Sequence, residues 1–122
     1  MATTKTLKVE ASTFRGKSEK GMPKILLTND DGIFSPGILI LKKEIDKLGE
    51  TVVVAPLKEK SGIGKAISSK LVKVETVSLS DGSTAYAING TPADAYMIAT
   101  YKILGKTPAL LISGINLGAN LG

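Results

Sequence analysis

Residues 25–32, Ile-Leu-Leu-Thr-Asn-Asp-Asp-Gly, run three aliphatic side chains straight into two adjacent carboxylates and a glycine. A short apolar run bounded this way reads as a buried strand that delivers its polar end to the rim of a sheet. In open α/β sheets, ligands bind beyond the carboxyl ends of the strands. Asp30 and Asp31 repel each other there unless a cation or a proton lies between them. Their oxygens suit a hard divalent ion such as Mg²⁺ or Mn²⁺. Neighbouring side chains of an extended chain point apart, so both acids reach one ion only if the backbone turns, and Gly32 permits that turn. Taken alone, Asp-Asp-Gly fits a solvated turn as well as a metal-holding loop.

The chemistry open to such a site is narrowed by what the chain lacks. There is no His and no Cys among its 122 residues. The commonest general base is therefore absent, together with disulfides and thiolate metal sites. Catalysis would have to rest on carboxylates, hydroxyls, Lys, backbone amides or a metal. Two Phe, three Tyr and no Trp leave the core to aliphatic packing. They also offer little stacking surface for a single-stranded nucleic acid. The net charge of +5 is concentrated at the start: residues 1–21 carry five basic and two acidic side chains. This is not the pattern of a DNA-binding face. No apolar run approaches the roughly 20 residues of a membrane span, and the polar Met-Ala-Thr-Thr-Lys start is unlike a signal peptide. A cytoplasmic protein, bound neither to a membrane nor to a nucleic-acid polymer, is expected.

Alternating apolar and polar positions predict a first strand over 6–12. Residues 15–21 read as a charged, Gly-punctuated linker, and Met22-Pro23 resembles a second beginning. Residues 1–21 are thus an added leader or an extra edge strand, and 22–122 form the α/β domain. Strand 24–28 is followed by a helix opening at Pro36, with Ile38, Leu41, Ile45 and Leu48 at helical spacing and Gly49 as its stop. Thr51–Ala55 is a β-branched strand. Residues 57–65 form a Gly-bearing polar loop. Extended runs at 70–79 and 84–88 meet at Asp81-Gly82, a hairpin signal. Thr91-Pro92-Ala93-Asp94 opens a second helix with a capping box, which should run to about Leu104. Ala109–Ser113 is a last strand, and 114–122 a Gly/Asn-rich loop. The expected architecture is a three-layer, Rossmann-like α/β fold. Its sheet is mostly parallel, with a hairpin insertion and an added N-terminal strand.

In a parallel sheet the loops after the three apolar strands share one edge. That places Asp30 and Asp31 near Ser61 of Lys60-Ser61-Gly62-Ile63-Gly64-Lys65 and near Asn116 and Asn120. The lysine loop is not a Walker motif, and a plain flexible loop is the alternative for it. For the Gly/Asn segment the alternative is a turn with Asn in left-handed conformations.

These stretches resemble the SurE survival-protein phosphatases, a family of 5′/3′-nucleotidases. The resemblance rests on ILLTNDDGIFSPGI at 25–38, VVAP at 53–56, SGIGKAIS at 61–68, NGTPADAYMIA at 89–99 and SGINLGANLG at 113–122, in order and compatibly spaced. It implies metal-assisted hydrolysis of nucleoside 5′-monophosphates to nucleoside and phosphate. One divalent ion, Mg²⁺ or Mn²⁺, would be held by Asp30, Asp31, Ser61 and Asn116, with Asp30 and Asp31 as the catalytic acids. Asn29, Gly62 and Asn120 fall in the phosphate surroundings, and a homo-oligomer is implied. Lys65 stands about where the family commonly has a His. Family members also continue past the Gly/Asn segment, so the chain resembles their N-terminal portion. The alternative expectation is a truncated or engineered fragment that folds, self-associates and binds metal or phosphate without appreciable turnover.

Overall fold

A computed structural model describes residues 4–13, 22–58 and 72–120. They form β1 (Thr4–Thr13), β2 (Lys24–Thr28), α1 (Pro36–Ile45), β3 (Glu50–Pro56), β4 (Val74–Ser78), β5 (Thr84–Ile88), α2 (Pro92–Ile98) and β6 (Leu110–Asn120). All six strands join one sheet in the order β1-β6-β2-β3-β5-β4. The four inner strands are mutually parallel, and the two outer ones, β1 and β4, run antiparallel to their neighbours. Strand β1 therefore joins the same sheet as the rest of the chain.

Side chains alternate across this sheet as the pleat requires. Ile25, Leu27, Val53, Ala55, Ala85, Ala87 and Ile112 form one buried cluster with Ile38 and Ile45 of α1. Leu26, Val54 and Ile88 face the other way and pack with Ala95 and Ala99 on the α2 side. The helices thus lie on opposite faces, giving the expected three-layer α/β arrangement. Burying each large aliphatic side chain contributes about 1.5–3 kcal/mol before the entropy of ordering is set against it. None of the described helices is long and apolar enough to cross a membrane.

Local chemistry explains the element ends. In α2, Thr91 Oγ1 accepts from the Asp94 N–H at 3.2 Å, and the Asp94 carboxylate accepts from the Thr91 N–H at 2.8 Å. The last turn widens into a π-helix over Ala99–Ile103, with the Leu104 N–H donating to the Ala99 carbonyl at 2.7 Å. The β4–β5 hairpin turns at Asp81-Gly82, as expected. Helix α1 is shorter than its spacing suggests. It stops at Ile45, where i→i+3 hydrogen bonds from Lys47 and Leu48 tighten the chain, and Leu48 is exposed rather than part of the buried stripe.

The largest difference from expectation concerns residues 114–120. They are not a loop but the second half of β6. Residues Thr4–Lys8 provide the antiparallel partner that their Gly/Asn composition does not advertise. Between the Lys8–Asn116 and Glu10–Ser113 pairs, β6 has two residues, Gly114 and Ile115, opposite Val9 alone. This bulge re-aims the strand. It also brings Ile115 against α1, where a Cβ at Gly37 would lie only 3.1 Å from the Ile115 carbonyl oxygen.

Candidate functional site

The site forms where β2 ends. Asn29 is fully buried, and its side chain closes the following turn on itself. Oδ1 accepts from the Gly32 N–H at 3.1 Å, and Nδ2 donates to the Gly32 carbonyl at 2.9 Å. Gly32 has φ 112°, a conformation costly for any residue with a Cβ. The Ile33 N–H then donates to the Pro56 carbonyl at 2.7 Å, fastening this turn to the end of β3. Asp30 and Asp31 sit on the turn so formed, Asp30 exposed and Asp31 half-buried.

The bulged half of β6 supplies the opposite wall. Asn116, buried on β6, accepts from the Asp30 N–H through Oδ1 at 2.7 Å and donates from Nδ2 to Ser113 Oγ at 3.2 Å. The Leu117 N–H donates to Asp31 Oδ2 at 3.0 Å. Asp31 is thus held by a backbone donor. The Asp30 carboxylate takes part in none of the ion pairs found among the described residues. Partial burial pushes the Asp30 carboxyl above its ordinary range, and the neighbouring Asp31 and then Glu10 add to the effect. Negative charge is therefore concentrated at this edge of the sheet.

Glu10 reaches this neighbourhood because β1 pairs it with Ser113. A cavity of about 440 Å³ opens beside the site, lined by Glu10, Ala11, Ser12, Leu111 and Ser113. On the adjacent strand, Thr28 lies opposite Ser113, and its buried hydroxyl has no hydrogen-bond partner among the described residues.

The structure brings together Asp30, Asp31 and Asn116. Asn29 is fully buried, and both ends of its amide hydrogen-bond to Gly32. Ser61 and Gly62 lie outside the described residues, and the Asn120 side chain does too, although its backbone ends β6. The residues on either side of the segment that holds Ser61 are described. Leu57 extends the ladder at the end of β3 by donating to the Ile88 carbonyl at 2.8 Å, and the Lys73 N–H donates to Asn89 Oδ1 at 2.6 Å, just past β5. Both flanks lie at the carboxyl edge that carries the acids. Sequence reasoning missed Ser113, the Leu117 N–H and Glu10. The last two depend on pairings with distant segments and leave no local signal.

The donor set is chemically suited to a hard divalent cation. Asp31 Oδ2 and Asn116 Oδ1 each accept one hydrogen bond and keep further acceptor capacity, and the Asp30 carboxylate accepts none of the hydrogen bonds found among the described residues. The like charges of the acid pair would be relieved by such an ion. Among the described residues no group of three or more acidic, His or Cys side chains is placed to hold a metal ion by itself. Neutral oxygen donors would therefore have to complete the coordination.

Known proteins similar to this chain share one family. Residues 25–122 match the family model described as Survival protein SurE. The chain is 49% identical over 100 residues to the 5′-nucleotidase SurE of Methanothermobacter thermautotrophicus, covering 81% of this chain and 38% of the relative. It is 43% identical over 99 residues to the 5′-nucleotidase SurE of Archaeoglobus fulgidus, covering 80% and 38%. The crystal structure of the SurE protein from Aquifex aeolicus superposes with a TM-score of 0.64 at 40% identity, covering 82% of this chain and 40% of that one. The chain therefore spans about two fifths of the length of these relatives.

Proposed function

The chain belongs to the survival protein SurE family, and from that membership we propose that it carries the acid-pair end of a metal-dependent phosphomonoesterase acting on nucleoside 5′-monophosphates. The observation that carries the proposal is the convergence of Asp30, Asp31 and Asn116 at the carboxyl edge of a parallel sheet. Asp30, Asp31 and Asn116 would hold one Mg²⁺ or Mn²⁺, with Ser61 as a further oxygen donor. When bound, that ion would supply positive charge at the phosphoryl oxygens.

The chain's own groups have distinct parts in this reading. The Leu117 N–H fixes the Asp31 carboxylate, so that acid presents its remaining oxygen in one orientation. Asp30 is exposed and its carboxyl holds a proton to higher pH than usual. It is the group suited to orienting a water and accepting its proton. Asn29 and Gly32 hold the turn that aims both acids. Gly62 and Asn120 are proposed for the phosphate surroundings. The same reading takes the protein as cytoplasmic, self-associating and independent of nucleic-acid polymers and membranes.

A second reading, metal binding without turnover, is favoured by one observation. Asn116 Oδ1 and Asp31 Oδ2 both already accept backbone hydrogen bonds. That is the arrangement of a scaffold as much as of a reacting centre. Phosphate release from nucleoside monophosphates, with and without Mn²⁺ or Mg²⁺, separates the two. Metal-dependent release that falls at least about a hundredfold in Asp30→Asn and Asp31→Asn supports the enzyme. Absence of release with retained metal-dependent thermal stabilisation supports the binding scaffold. Absence of both removes the site.

A further inference from the structure

Strand β1 closes the edge of β6 but exposes an edge of its own. It is last in the strand order, and among the described residues no strand pairs with its outer side. An unpaired row of backbone donors and acceptors is a template for another strand, and natural edges are usually blunted by Pro, bulges or charged side chains, Lys above all. β1 has no Pro, and the bulge of the β1–β6 pair belongs to β6, so β1 itself stays regular. Leu7 and Val9 are 64% and 51% exposed and share one face, beside Leu117 at 54%. Lys8 and Glu10 point to the other face. Across the strand they meet Asn116 and Ser113, which are uncharged, and neither enters an ion pair among the described residues.

The pattern of β1 selects its own complement. We propose that a second copy of this chain pairs with β1, antiparallel about a two-fold axis at Val9, joining the two sheets into one. In that register Lys8 lies opposite Glu10 of the copy, and Glu10 opposite its Lys8. Leu7 meets Ala11, and Val9 meets Val9. Shifting by one residue sets Leu7 and Val9 against Glu10 and Lys8. Shifting by two restores the apolar face but places Lys8 against Lys8 or Glu10 against Glu10. Directly opposed like charges destabilise a strand pair, whereas opposite charges stabilise it. A two-fold contact repeats each favourable pair, so the interface is self-complementary. Lys8 and Glu10, which enter no ion pair among the described residues, are paired between chains in this register.

Sedimentation equilibrium of the whole chain across a concentration series, with Lys8→Glu, Glu10→Lys and the double exchange, tests this pairing. The parent chain should dimerise. Each single reversal should weaken the dimer about tenfold or more, and the double exchange should restore it. Because the chain has no Cys, Val9→Cys provides a check that does not depend on the charged variants folding. It should form an intermolecular disulfide under mild oxidation, and Thr13→Cys, far from the axis, should not. A monomeric parent chain overturns the proposal. So does a dimer indifferent to both reversals, or one in which Val9→Cys fails to cross-link.

Discussion

The side-chain oxygen of Asn116 accepts the backbone N–H of Asp30 at 2.7 Å, joining residues 86 positions apart. This bond ties the turn after β2 to the bulged half of β6. It makes the position of the first acid a property of the whole sheet rather than of its own loop. Asn116 is 5% exposed, so the bond is shielded from competing water.

Replacing Asn116 with Ala should leave the Asp30 N–H without its partner and Ser113 without a donor. A buried unsatisfied group costs about 1–3 kcal/mol. Urea unfolding should show a loss of that size. Mn²⁺ affinity should fall as well, because an oxygen donor is removed and Asp30 is no longer anchored.

Asn29→Ala distinguishes a turn clamp from a phosphate contact. Removing the clamp leaves the buried Gly32 N–H unpaired and the Gly32 carbonyl with the Ser35 N–H alone, so the unfolding free energy should drop by about 1–3 kcal/mol. Asn29→Asp keeps the acceptor for the Gly32 N–H but loses the donor to its carbonyl. It should be intermediate at low pH and worse at neutral pH. Chemical denaturation of both variants at two pH values checks this. Stability unchanged in both would remove the clamp.

The pH dependence follows from Asp30. Partial burial, Asp31 and then Glu10 hold its folded-state carboxyl above the ordinary value of 3.8. The folded protein therefore keeps this proton to a higher pH than the unfolded chain does. The associated stability is complete below the unfolded value and is lost as pH rises through the raised folded one. In metal-free buffer the unfolding midpoint should show this decline, and Asp30→Asn should flatten it while raising the midpoint at neutral pH by a few degrees. Added Mn²⁺ should offset the decline in the parent chain but not in Asp30→Asn. Thermal melts from about pH 4 to 8 give the comparison.

Much of the framework was legible because its signals are local. Ile25 to Leu27 form an unbroken apolar run, Thr91-Pro92-Ala93-Asp94 carries its own cap, and Asp81-Gly82 marks its own turn. The segment 114–120 was misread because its Gly and Asn content signals a turn, although Ile115, Leu117 and Ala119 alternate with Asn116, Gly118 and Asn120 at strand period. Its strand partner, Thr4–Lys8, lies far away in sequence. Leu48 was misassigned for the converse reason, since helical spacing continues past the residue where the backbone tightens. At the candidate site, Asp30 and Asp31 announce themselves by following a buried strand. The engagement of Asn29 by Gly32, the Leu117 N–H on Asp31 and the approach of Glu10 depend on turn geometry or strand register, which single-sequence patterns do not encode.

Titration of the metal-free chain with Mn²⁺, followed by calorimetry alongside Asp30→Asn and Asp31→Asn, bears most directly on the central claim that the acid pair and Asn116 hold one divalent ion. The expected result is a single site in the parent chain, weakened at least about tenfold by each substitution, since each removes one of the two carboxylate ligands. Binding of equal strength in all three chains, or no binding in the parent at millimolar Mn²⁺, would contradict it.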